Sequence, residues 1–179
     1  RTDPILYVVP VNVVISEDNE RILTDAYILQ RNTSEEGRRD AVVLDSSLRL
    51  STDPDTLYYR ESQAARIKIL AEITAGRLAV VLMNKEAFDF FSSSGFLADL
   101  GEITQLQDLS DHFAANTAIL EDNADEIFQD PSKAYQSVTL EGKFGLDLSG
   151  SALFGEAAGY EDTVYLGIII NTERLNEAV

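Results

Sequence analysis

The sequence has no cysteine in 179 residues. That removes disulfide frameworks, zinc–thiolate sites and cysteine nucleophiles together. A cysteine-free chain fits the cytosol, and it equally fits exported proteins of organisms that avoid disulfides. Histidine occurs once, as His112. A serine triad needs a histidine base, and no nucleophile-elbow glycine pattern accompanies this one. One histidine without cysteine is also too little for a transition-metal site. His112 therefore reads as a surface or half-buried helical residue. Basic residues are scarce, 14 against 31 acidic, for a formal net charge of −17. Binding to phosphate backbones rests on Lys and Arg, so nucleic acid is excluded as a partner. Docking on anionic lipid through a basic patch is excluded for the same reason. The acidity serves solubility, and the other reading is a cationic partner such as a metal ion or a cell-wall polycation. Neither G-x-x-x-x-G-K-[ST] nor G-x-G-x-x-G is present, which removes both common nucleotide loops. Apolar runs such as Ile5–Val9 and Leu78–Met83 are strand-sized. They fall far short of the ~20 residues that span a bilayer.

What is present is enough for one domain covering residues 1–179. The chain is 45% hydrophobic, and a domain near this size hides about two-thirds of the surface its unfolded chain exposes. No cofactor is expected. Residues 5–15, "ILYVVPVNVVI", form a β-branched run suited to a strand buried on both faces, interrupted by Pro10. Asn12, among apolar neighbours, needs hydrogen-bond partners. Ser16 with Glu17 and Asp18 starts a helix, and "RNTSEEGRRD" at 31–40 is a polar loop. A second strand is expected at 41–50, with a bend at Ser46-Ser47, and a turn at 51–56. A helix follows at 61–75, closed by Gly76 as its C′ glycine. "LAVVLMN" at 78–84 is a third strand, and 85–94 a short helix stopped by Gly95. Residues 106–116 and 118–129 read as partly helical, 136–148 as a hairpin turning at Glu141-Gly142, and "SGSALFGEAAGY" as a capped short helix. Residues 163–171 form a last buried strand, followed by the start of a helix at 172–179. The alternation argues an α/β domain with a mainly parallel sheet of about four to five strands.

Ligands of open α/β sheets sit beyond the carboxyl ends of the strands. Those ends are expected near Ile15-Ser16, Asp45-Ser46-Ser47, Asn84-Lys85 and Asn171-Thr172. The candidate ligand-binding residues are therefore Ser46, Ser47, Asn84, Lys85 and Asn171. Capping competes with that role, most clearly at Asn84, which is placed to cap the 85–94 helix. The acidic runs at 122–126 and 53–55 miss the calcium-loop pattern and read as solvated loops. No spacing among the 31 acids selects a catalytic pair. Tyr58, Tyr59, Tyr135, Tyr160 and Tyr165 supply aromatic surface for stacking or, more simply, for packing.

The stretch at 64–100, "AARIKILAEITAGRLAVVLMNKEAFDFFSSSGFLADL", resembles a segment of the extracellular solute-binding proteins of bacterial ABC importers. The shared features are a helix ending in Ala-Gly, a buried strand, a short aromatic helix, a glycine and a closing L-x-x-L turn. "LSGSALFGEAAGYEDTVYLGIIINTER" resembles the tail of small membrane-anchored extracellular proteins of Gram-positive gut Clostridia. The resemblance implies one lobe of a solute-binding protein, and it transfers no binding residue. The start at Arg1-Thr2-Asp3-Pro4, without an initiator Met, agrees with an anchor removed upstream. The expectation is a non-catalytic binding or interaction domain, tethered at the extracellular face of the cell membrane. Its partner would be a small solute or an envelope protein, and its only link to the membrane the removed anchor. The alternatives are a structural module of an envelope complex and a carboxylate-dependent hydrolase.

Overall fold

A computed structural model describes residues 6–30, 42–44, 48–51, 53–119, 129–130, 132 and 139–170. The expected loop at 31–40, Ser46, Ser47, the acidic run at 122–126, Tyr135, Asn171 and the final helix at 172–179 lie outside the described residues.

The chain is α/β. Strands β1 (Leu6–Val11), β2 (Val42–Leu44) and β3 (Val80–Met83) alternate with helices α1 (Glu17–Gln30), α2 (Tyr59–Thr74) and α3 (Lys85–Ser93). Then come 3-10 helices Leu100–Glu102 and Thr104–His112, and strands β4 (Phe113–Ile119), β5 (Thr139–Asp147) and β6 (Tyr165–Ile168). The six strands form one sheet in the order β2-β1-β3-β6-β5-β4. β1 runs parallel to β2 and β3, with Val8 opposite Leu44 on one side and Val80 on the other.

The sheet is mixed, not mainly parallel. β6 is antiparallel to both β3 and β5, and β5 is antiparallel to β4. A parallel return needs a crossover, usually a helix, that carries the chain back to the edge it left. Between β5 and β6 the chain has only turns and the 3-10 helix Glu156–Ala158. It lays Leu148, Leu153, Phe154 and Tyr160 on the sheet face instead, and β6 comes back antiparallel.

Alternation along the central strands sorts the core into two layers. Val9, Val11, Val81 and Met83 face α2 (Ala65, Ile69, Ile73) and α3 (Ala87, Phe88, Phe91). Val8, Val80 and Leu82 face the opposite way, toward Leu23 and Tyr27 of α1 and the 148–164 segment. Pro10 sits inside β1 without breaking it. Its carbonyl accepts from Leu48 N (3.0 Å), so the missing N–H also faces the β2 side, past the last β2 residue. No bond to β3 is lost, which is how a proline survives in a central strand.

The helix punctuation agrees with the sequence. Ser16 Oγ accepts from Asn19 N at 3.2 Å, and Asn84 Oδ1 caps α3 by accepting from Ala87 N at 3.0 Å. Gly76 (φ 67°) and Gly95 (φ 74°) end α2 and α3 in the left-handed region that favours glycine. Where a hairpin is expected over 136–148, the described residues Thr139–Asp147 form one strand. Glu141 and Gly142 lie within β5, opposite Thr117 and Asn116, so the alternation belonged to a single strand read through its own middle. The helical reading of 106–116 is replaced by a 3-10 helix ending at exposed His112 and then β4. Ala118 and Ile119, expected in a second helix, complete β4. The short helix at 149–160 shrinks to one 3-10 turn.

Candidate functional site

The chain leaves β1 toward α1 on one face of the sheet and leaves β3 toward α3 on the other. Neighbouring parallel strands whose exits diverge in this way leave a crevice at their carboxyl ends, where open α/β sheets bind ligands. A cleft of about 460 Å³ lies there. One wall is Asn12, Val13 and Val14, just past β1, with Asn84 just past β3. The other is Ala158–Val164, the chain entering β6.

Asn12 and Asn84 are held as a pair. Asn12 Oδ1 accepts from Leu50 N (2.8 Å), and its Nδ2 donates to Leu50 O (2.9 Å) and to Asn84 Oδ1 (3.1 Å). Backbone N–H groups can only donate, so Leu50 N and Ala87 N fix which end of each amide is oxygen. Asn84 Oδ1 is then used twice, and its Nδ2 remains a donor with no hydrogen bond among the described residues. Asn12 takes φ 58°, a region that asparagine tolerates better than most residues.

The Leu50 backbone that grips Asn12 is braced from behind by Arg66. This residue is only 2% exposed. Its guanidinium donates to Ser51 O (2.8 Å) and Gln129 O (3.3 Å) and lies 4.7 Å over the Phe90 ring. Nε has no hydrogen-bond partner, and Arg66 forms no ion pair among the described residues. Burial lowers its pKa, opposed by the charges of Tyr59, Asp130 and Glu86. Ser62 Oγ accepts from Ser51 N (2.7 Å) and donates to Arg49 O (3.3 Å), completing the brace.

Tyr160 latches the two walls. Its hydroxyl donates to Val14 O at 2.7 Å, and its ring packs on Phe154 with centroids 6.0 Å apart. Burial raises its pKa above the ordinary 10.0, with the Asn19 side chain acting the other way. The folded state thus favours the neutral phenol. Its contribution is complete below the unfolded value and is lost as pH rises through the higher folded one. Between pH 9 and 12 the wild type should lose more stability than Tyr160→Phe in chemical denaturation at fixed ionic strength. Equal losses would remove Tyr160 from this role.

Of the residues expected from the sequence, Asn84 lines the cleft and also caps α3. Lys85 adjoins it but is not in the lining. Its ammonium pairs with Asp89 one turn along α3 and stands 5.5 Å over the Phe88 ring. Ser46, Ser47 and Asn171 lie outside the described residues. β6 nevertheless corrects the reason for choosing Asn171. Ile168 pairs with Val80 at the start of β3, so the carboxyl end of β6 lies at the opposite edge of the sheet from the cleft.

In the sequence the far wall, Ala158–Val164, carries no site signal beyond Tyr160, which reads as aromatic surface for stacking or packing. No local pattern marks it, because it reaches the cleft only through the direction of β6. Glu161 and Asp162 are neighbours on that one wall and face Asn12 and Asn84. Among the described residues the lining supplies no opposed carboxylate pair of the kind glycoside hydrolysis uses. No group of three or more His, Asp or Glu among the described residues could hold a metal ion, and no described helix is long and apolar enough to cross a membrane. Comparison with protein-family models, with curated proteins and with solved structures returns no match.

Proposed function

We propose that the chain is a non-catalytic small-ligand-binding domain, built like one lobe of a solute-binding protein and held at the extracellular face of a membrane. The cleft between the exits of β1 and β3 is its site. The observation that carries the reading is the Asn12–Asn84 pair, which holds an unused amide donor at the rim of a cleft where open α/β sheets bind. The resemblance of residues 64–100 to solute-binding proteins supports the location and the lobe-like architecture.

A thermal-shift screen with sugars, amino-acid amides, short peptides and divalent cations tests the binding. A ligand at 100 times its Kd stabilises by about 2.7 kcal/mol, which raises the Tm of a domain this size by about 5–10 °C. At least one class should do so, and the shift should shrink in Asn84→Ala. Silence from every class at millimolar concentration would defeat the reading. Location is tested separately, by whether protease added to intact cells removes the domain.

A further inference from the structure

The lining also restricts which ligand fits, an inference that rests on the cleft being the binding site. We propose that it takes an α-amino amide: a protonated amine beside a neutral carbonyl, with a short aliphatic side chain.

Three features of the lining converge on that chemistry. The first is the donor. Asn84 Oδ1 is occupied by Ala87 N and Asn12 Nδ2, so only Nδ2 is left to meet a ligand, and it requires an acceptor such as a carbonyl oxygen. The second is charge. Among the described residues the side chains of Glu161 and Asp162 make no hydrogen bond or ion pair, and the described lining holds no lysine or arginine. A chain at −17 adds a long-range field that draws cations in and repels anions. The opening therefore favours an ammonium. It is poorly suited to a bare divalent cation, since calcium takes 6–8 oxygens and two adjacent carboxylates supply few. The third is apolar surface. Val14 is 77% exposed at the near wall, and Ala158 stands on the far one. A short aliphatic side chain would find apolar surface on either wall. The volume of about 460 Å³ sits toward the lower end of the range of about 300–1,000 Å³ for small-molecule clefts, which suits a ligand of one or two residues.

The test is a titration followed by NMR, reading the Asn84 side-chain NH₂ and the Val14 backbone N–H at neutral pH. L-Leucinamide carries all three features. N-Acetyl-L-leucinamide lacks only the cation, and maltose is a neutral ligand of another class. L-Leucinamide should move both signals in a saturable way, and the acetylated form should bind at least several-fold more weakly. Glu161→Gln with Asp162→Asn should weaken L-leucinamide about three- to tenfold, the scale of two rim-exposed ion pairs, and maltose should move neither signal. Equal binding of the acetylated form, or an unchanged affinity in the double variant, would overturn the amine. Maltose alone shifting Asn84 would overturn the ligand class while leaving the cleft as a binding site. If no probe moves either signal, the cleft reading itself fails.

Discussion

Asn12→Ala is expected to lower the free energy of unfolding by about 3–4 kcal/mol. Three hydrogen bonds are lost, each worth about 1 kcal/mol net, and Leu50 N and O are left without partners in a half-buried site. A further contribution of about 1 kcal/mol comes from holding alanine at the positive φ that Asn12 adopts. Glycine tolerates that conformation, so Asn12→Gly should lose the bonds without the strain and cost about 1 kcal/mol less than alanine. Asn12→Asp keeps the acceptor for Leu50 N but turns a second oxygen toward Leu50 O and Asn84 Oδ1. That carboxyl is expected to be raised in pKa, so the variant should gain stability relative to wild type as pH falls. Urea denaturation of the three variants reads all of this. A loss below about 1 kcal/mol for alanine would mean that the amide pair does not organise this end of the sheet.

Gly155→Ala is expected to be at least as damaging, for a different reason. A Cβ there would fall within 2.5 Å of Ser151 O and closer still to Ser149 O. Both are backbone atoms, held by Ser151 N to Leu148 O (2.8 Å) and Gly155 N to Ser151 O (2.9 Å). No side-chain rotation relieves such contacts, so the whole turn has to open. Phe154 would then leave the α1 face of the core, and Tyr160 would lose its seat beside Val14. The cost should be about 3–5 kcal/mol, in the range of severe overpacking and lost core contacts. Gly150 lies in the same turn, and a Cβ there meets nothing within 4 Å. Gly150→Ala should change stability by less than about 0.5 kcal/mol. Comparable losses at 150 and 155 would show that backbone flexibility, not space, sets the requirement. Because Gly155 anchors the far wall, its variant should also lose ligand shifts at Val14.

The two substitutions probe the two walls of one cleft, and the walls differ in how far the sequence revealed them. Asn12 stood out as an amide in a β-branched run, and Asn84 as a cap at a strand end. Both readings depend on neighbours a few residues away, and both survive because capping and period-2 burial are short-range effects. The same holds for α1, α2, α3, β1 and β3, and for the glycines that end α2 and α3. Where a strand-like alternation ran through Gly142, local pattern could not separate one long strand from a hairpin. The side chains decided it. The Phe144 ring and the Asp99 carboxylate fill the space a Cβ at 142 would need, and β4 pairs with β5 from Thr139 to Leu146 across a single bulge.

Local pattern alone carries the alternation of strands and helices through the first hundred residues, and with it the α/β class and the expectation of a site at strand carboxyl ends. The antiparallel entry of β6 into the middle of the sheet comes from long-range packing. Strand direction depends on how a connection of seventeen residues, 148–164, packs across a face, and that balance of long-range contacts leaves no local trace. It carries the carboxyl end of β6 away from the cleft and brings its amino end, with Glu161 and Asp162, across from Asn84.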